Sequence, residues 1–161
     1  MDYKTADLCD AHSDRIKIAT PIGFKDYGGR KKYSGQIHTI KCFEDHSMVE
    51  TVLKTDGTGK VLVVDGGGSL SCALMGDRLA GIGTRNNWNG IVIYGCIRDS
   101  VEVGLLNFGV KALNTYSKTR ETAAQWPQNI EVYFADITFV PGHFIYCDED
   151  GIIVADAELV L

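Results

Sequence analysis

Several features are missing from this 161-residue chain, and each absence removes a class of function. No stretch is long and apolar enough to span a bilayer, which takes roughly 20 consecutive apolar residues. The first ten residues include Asp2, Asp7 and Asp10, where a secretory leader has a basic stretch followed by an apolar one, so the expected location is the cytoplasm. Basic side chains are outnumbered 16 to 21, and the resulting formal charge of −5 opposes direct binding to nucleic-acid phosphates. The one basic cluster, Arg30-Lys31-Lys32, reads as a solvated loop. Cys9, Cys42, Cys72, Cys96 and Cys147 are odd in number and form no CxxC pair, which indicates free thiols in a reducing compartment.

The common catalytic signatures are absent too. A glycine-rich loop, Gly66-Gly67-Gly68, follows an apolar run, but Ser71 stands where the third glycine of GxGxxG belongs. No lysine completes a Walker A loop, because Gly76 and Gly81 lead into Ile82. His12, His38, His46 and His143 are scattered and make no HExxH pattern for zinc. Ser69 sits in Gly-Gly-Ser-Leu-Ser rather than GxSxG, so a nucleophile elbow is excluded.

What remains has the composition of a globular protein, 45% hydrophobic and 23% charged, and the length of a single domain over residues 1–161. Thr5 is a candidate N-cap for a short helix through Ala11, and Arg15 to Thr20 alternates like a half-buried strand. Ser34 to Cys42 is strand-like, and Met48, Val49, Val52 and Leu53 recur at helical spacing. The continuous apolar runs Lys60–Val64 and Gly90–Gly95 predict strands covered on both faces, with a helical stretch between them that breaks or restarts near Gly76-Asp77. This strand, loop, helix, strand order gives a parallel pair. Beyond Asn107, Val110 to Leu113, Ile130 to Val140, Phe144 to Cys147 and Ile152 to Ala155 predict further strands joined by short links. Asp148-Glu149-Asp150-Gly151 lacks the spacing of an EF-hand loop and reads as a hairpin turn.

The chemistry-bearing set is Asp77, Arg98 and Asp99, with 20 residues between Asp77 and Arg98. Arg98-Asp99 and the Gly66 loop both follow buried strands, the place where open α/β sheets gather ligands. Two carboxylates brought together there suit a hard divalent cation. On spacing alone, the same residues also fit a helix cap and a surface ion pair.

Resemblance adds weight. The segment from Val61 to Leu70, then Gly76-Asp77, then Gly90 to Asp99 resembles the RraA-like family, homologues of the regulator of ribonuclease activity A, within the class II pyruvate aldolases. The likeness extends to Ala6–Asp10, Gly28-Gly29-Arg30, Lys41–Asp45 and Asp150–Ile152, nearly the whole chain. Members that are 4-hydroxy-4-methyl-2-oxoglutarate aldolases have an acid, 20 residues and then Arg-Asp, and Asp77, Arg98 and Asp99 match.

The resemblance implies an α/β fold, a three-layer β/β/α sandwich like the swivelling phosphohistidine domain, assembled as a homotrimer. It implies a divalent cation, Mg²⁺ or Mn²⁺, held by Asp99 directly and by Asp77 through water. Arg98 would meet the keto oxygen of a small 2-oxo acid, and main-chain amides around Leu74, Met75, Gly76 and Asp77 its carboxylate. The implied reactions are decarboxylation of oxaloacetate and cleavage of 4-hydroxy-4-methyl-2-oxoglutarate to two pyruvates. The cleavage also needs a base for the hydroxyl proton, which in the longer aldolases involves a C-terminal region; this chain ends at Leu161, so decarboxylation is the better supported, and Glu102 is the first side chain to test as a base. The same resemblance implies a rival role, a non-catalytic regulator that docks on ribonuclease E or a similar RNA-processing enzyme.

Overall fold

The Val61–Val64 run lies at the centre of the sheet. The computed structural model describes residues 2–161. In it β4 (Lys60–Asp65) runs parallel to β3 (Tyr33–Lys41) on one side and β5 (Gly90–Ile97) on the other. Leu62 and Val64 point into one apolar cluster and Val61 and Val63 into another, all four with no exposed surface. Side chains alternate across a strand, so a continuous apolar run is what a strand covered on both faces requires. β6 (Gly109–Thr115) continues the parallel set beside β5, and β2 (Lys25–Asp26) pairs antiparallel at that edge. On the other side β9 (Phe144–Asp148), β10 (Gly151–Ala155) and β1 (Ile16–Ile18) add three antiparallel strands, for the order β1-β10-β9-β3-β4-β5-β6-β2.

Three helices link the parallel strands: α2 (Ser47–Leu53), α3 (Asp77–Arg85) and α4 (Ser100–Val103). Val49, Val52 and Leu53 of α2, Leu79 and Ala80 of α3, and Val103 of α4 all join the cluster on the Leu62 and Val64 face. The opposite face is covered by a hairpin, β7 (Val132–Phe134) and β8 (Ile137–Phe139), whose Phe134 stacks on Tyr94 at 4.9 Å and on Phe139 at 4.4 Å. Hairpin, sheet and helices make the three-layer β/β/α sandwich.

Local readings fare unequally. The Ile130–Val140 run is two short strands, because Ala135 and Asp136 both take positive φ and turn the chain back. Arg15 to Thr20 gives only the edge strand β1, with Ile18 57% exposed rather than half-buried. No helix forms between Ser69 and Gly76; α3 starts at Asp77. The link from β6 to β7 is long, residues 116–131, and crosses the ends of the parallel strands.

Thr5 is not the N-cap of α1 (Thr5–Ala11), a position that Lys4 occupies without a side-chain bond. The cap comes from across the fold: Asp148 accepts the Thr5 amide and the Thr5 hydroxyl, each at 2.7 Å. The same carboxylate accepts the amides of Asp150 at 2.9 Å and Gly151 at 3.3 Å, so the acidic cluster is a hairpin turn that also anchors the N-terminal helix. Burial pushes the Asp148 carboxyl up, but these donors outweigh it and leave it below its ordinary value.

A carboxyl with a lowered folded pKa contributes stability that is complete above its unfolded value, about 3.9, and is lost as pH falls through the folded one. Asp148→Ala should cost about 2–3 kcal/mol at pH 7, the range for charged hydrogen bonds left unmade in a buried place. Urea denaturation measures this, and the gap from the wild type should narrow below about pH 4. A pH-independent gap would show that packing, not the charge, is lost.

Candidate active site at the ends of the parallel strands

Because β3 to β6 run parallel, Lys41, Asp65, Ile97 and Thr115 end at one edge of the sheet. The residues that follow, Cys42 to His46, Gly66 to Gly68, Arg98-Asp99 and Tyr116 to Thr119, therefore emerge together.

The segment before α3 is drawn along β5. Leu74 donates its amide to the Cys96 carbonyl at 2.8 Å, and the Arg98 amide donates to the Met75 carbonyl at 2.9 Å. Ala73 also bridges Thr119, which brings the long link into the same place. Asp99 then takes the left-handed conformation, φ 56° and ψ 44°, which Asp tolerates better than most residues. Its Oδ2 accepts the Asp77 amide at 3.1 Å. Gly76 leaves room for that contact: a Cβ there would lie 2.4 Å from Asp99 Oδ2 and 3.3 Å from Arg98 Cγ.

The product is a cavity of about 60 Å³ lined by Met75, Gly76, Asp77, Arg98 and Asp99, with His46 and Thr119. The fold thus brings Asp77, Arg98 and Asp99 together across the 20 intervening residues. Asp77 is the first residue of α3 rather than its cap, and neither Arg98 nor Asp99 joins a salt bridge among the described residues. Arg98 is half-buried, and its Nη1 reaches the Ser117 carbonyl at 3.4 Å. Leu74 stands apart, with its side chain in the core and its amide committed to Cys96. Among the described residues no protein group accepts from the amides of Met75 and Gly76. Glu102 is exposed on α4 and does not line the cavity.

Among the described residues no three His, Cys, Asp or Glu side chains converge as a ligand cage. Two exposed carboxylates on one cavity suit Mg²⁺ or Mn²⁺, which keep several waters and share a site with substrate oxygens; they do not suit structural zinc. Cysteine is no competitor, since burial, with Asp45 and Asp65 adding to it, pushes the Cys42 thiol up to about 12. A larger cavity of about 520 Å³ lies between β1, β10 and the β7-β8 hairpin, lined by Asp14, Arg15, Lys17 and Asp136 among others, away from the strand ends.

His46 and Thr119 are site residues that spacing arguments miss. The other histidines are elsewhere: His12 bonds the Val160 carbonyl, His38 bonds Gln128, and His143 lines the larger cavity. The available signal for His46 is its place just beyond β3 and next to Asp45. Asp45 is fully buried and binds the Ser47 amide at 2.9 Å, the Trp126 indole at 2.8 Å and the Thr122 hydroxyl. Burial raises its carboxyl, and these donors overcome that and hold it well below the usual range. It thereby clamps the long link over the start of α2.

A central mixed sheet between a hairpin and a helical layer, with an acid-arginine-acid cluster at the ends of its parallel strands, defines an α/β protein whose charged side chains gather at that edge. The chain belongs to the RraA-like family, whose Aldolase/RraA model matches residues 5–154. An Aromatoleum aromaticum protein provisionally named a 4-hydroxy-4-methyl-2-oxoglutarate aldolase is 50% identical over 160 residues, covering 99% of this chain and 100% of that one. Among solved structures, the RNA-processing inhibitor RraA from Thermus thermophilis superposes with a TM-score of 0.94 at 34% identity, covering 99% of this chain and 96% of that one. A Geobacillus kaustophilus structure described as an S-adenosylmethionine:2-dimethylmenaquinone methyltransferase also gives 0.94, at 40% identity, covering 98% and 97%.

Gly76→Ala separates site geometry from fold. The added methyl meets the movable end of the Asp99 side chain, so unfolding free energy should change by no more than about 1 kcal/mol. Hydrogen-exchange protection of the Asp77 amide should fall by about 10-fold as its acceptor is displaced. By contrast, a Cβ on Gly28 would lie 2.0 Å from the Phe108 carbonyl oxygen, which is backbone, and Gly28→Ala should cost about 3 kcal/mol or more. Equal losses in the two variants would show that Gly76 serves packing alone.

Proposed function

We propose that this chain is a divalent-metal-dependent carbon–carbon lyase for 2-oxo acids that decarboxylates oxaloacetate and cleaves 4-hydroxy-4-methyl-2-oxoglutarate. The observation that carries the reading is the meeting of Asp77, Arg98 and Asp99 on one cavity beside the amides of Met75 and Gly76. The likeness to the Aromatoleum protein supports it.

Asp99 would hold Mg²⁺ or Mn²⁺ directly and Asp77 through water. The cation, when bound, supplies electron withdrawal from the carboxylate and keto oxygens of the substrate. The amides of Met75 and Gly76 receive the substrate carboxylate. Arg98 presents a planar fork of donors to the keto oxygen, where negative charge grows as the carbon–carbon bond breaks. Its half-burial strengthens that interaction relative to water. Cleavage of the hydroxylated substrate needs one step more, removal of the hydroxyl proton, which oxaloacetate does not require.

A homotrimer is proposed with this reading. Val101 and Leu105 are 74% and 82% exposed within and just after α4, close to Asp99, and apolar side chains so placed suit a subunit contact. The methyltransferase description of the Geobacillus structure gains no support here, because Phe43 and Tyr94 cover the glycine loop: Cβ atoms on Gly67 and Gly68 would lie 2.7 and 2.8 Å from those rings. The likeness to the Thermus inhibitor favours a second reading, docking on an RNA-processing enzyme such as ribonuclease E, with the net charge of −5 directed at a basic protein surface rather than at RNA.

Pyruvate release from oxaloacetate, corrected for decarboxylation by free metal, tests the lyase. Wild-type turnover should depend on Mg²⁺ and exceed that on 4-hydroxy-4-methyl-2-oxoglutarate. Arg98→Lys keeps the charge but loses the fork, and should fall by about 10²-fold, the loss for one oxyanion donor. Asp99→Asn should lose most metal-dependent turnover while remaining folded. Unchanged turnover in folded Asp99→Asn would refute the assignment, and no turnover in the wild type would favour the regulator.

A further inference from the structure

The lyase chemistry leaves one group in the cavity without a task. His46 is 8% exposed, lines the cavity along with Arg98, and its Nδ1 is buried with no hydrogen-bond partner. Its side chain does not cap α2, and its backbone amide is held independently by the Arg120 carbonyl at 3.0 Å. A buried imidazole nitrogen that satisfies nothing is costly to keep unless the ring has another use.

The orphan nitrogen fixes the ring's character. Buried N–H groups without acceptors are rarer than under-satisfied acceptors, so the proton of neutral His46 sits on Nε2. In that tautomer His46 offers an N–H donor through Nε2.

Topology says which oxygen it meets. Arg98 follows β5 and His46 follows β3, with β4 between them, so the two enter from points about 10 Å apart, two strand spacings. The near carboxylate and keto oxygen of a 2-oxo acid are taken up on the β5 side, by Met75, Gly76 and Arg98. The far end of a longer acid is then directed toward β3.

We propose that His46 is a substrate-recognition residue that donates a hydrogen bond through Nε2 to the distal carboxylate of a five-carbon 2-oxo dicarboxylate. The inference rests on the 2-oxo acid reading of the site and adds a length and charge requirement to it. Pyruvate, which ends before that point, gains nothing from His46.

Calorimetric titration of the intact protein in Mg²⁺ with two stable probes, pyruvate and 2-oxoglutarate, tests it. His46→Ala should weaken 2-oxoglutarate by about 10-fold, one hydrogen bond to a charged group, and leave pyruvate unchanged. His46→Gln, whose amide N–H donor reaches the position of the imidazole Nε2, should hold 2-oxoglutarate within about 3-fold of the wild type. Equal weakening of both probes by His46→Ala, or a Gln variant as weak as the Ala variant, overturns the inference. Wild-type binding of pyruvate but not of 2-oxoglutarate overturns it while leaving the lyase reading intact; binding of neither overturns both.

Discussion

Val61, Leu62, Val63 and Val64 lie beneath helices on one face and an aromatic hairpin on the other, and this double burial determines where polar chemistry can stand. A polar side chain midway along β4 would be stranded without water or partner, at a cost of roughly 1–3 kcal/mol by mutational measures. On β4 the charges therefore stand at its two ends, Lys60 and Asp65. Since β3 to β6 are parallel, their C-terminal ends coincide, and groups far apart in sequence arrive at one edge.

That edge is shaped by backbone before side chains act. Hydrogen bonds from Leu74 and Arg98 zip residues 73–76 to the end of β5, and Gly76 permits the closeness. The left-handed turn at Asp99 costs of the order of 1 kcal/mol but aims the carboxylate across to Asp77. Asp45 does the corresponding work on the β3 side, holding Thr122 and Trp126 so that the long link closes the cavity wall. The buried Asp45 thus positions its neighbours, while the exposed Asp77 and Asp99 line the cavity, Asp99 with one oxygen on the Asp77 amide.

Much of this architecture was legible in the sequence. The apolar runs at Val61 and Ile91 gave buried strands because burial on both faces leaves a continuous pattern, and a helix between two such strands implies a parallel pair. The Asp77 and Arg98-Asp99 pairing was legible through spacing and family likeness. Less legible were features made by distant contacts. Thr5 carries a cap residue's chemistry but receives its cap from Asp148, more than a hundred residues away. Residues 69–76 have apolar periodicity yet bond to β5 and a loop instead of to themselves. His46 was invisible because its meaning is a missing hydrogen bond, which no sequence pattern records.

The central claim is that Asp77, Arg98 and Asp99 form a cation-dependent 2-oxo acid site. Its most direct test is anomalous diffraction from crystals grown with Mn²⁺ and oxalate, a stable mimic of the two oxygens a 2-oxo acid presents. The account predicts one strong peak about 2 Å from an Asp99 carboxylate oxygen, with oxalate beside Arg98 and water between the ion and Asp77. Mn²⁺ absent from this edge, or bound elsewhere with Asp99 uninvolved, would contradict it.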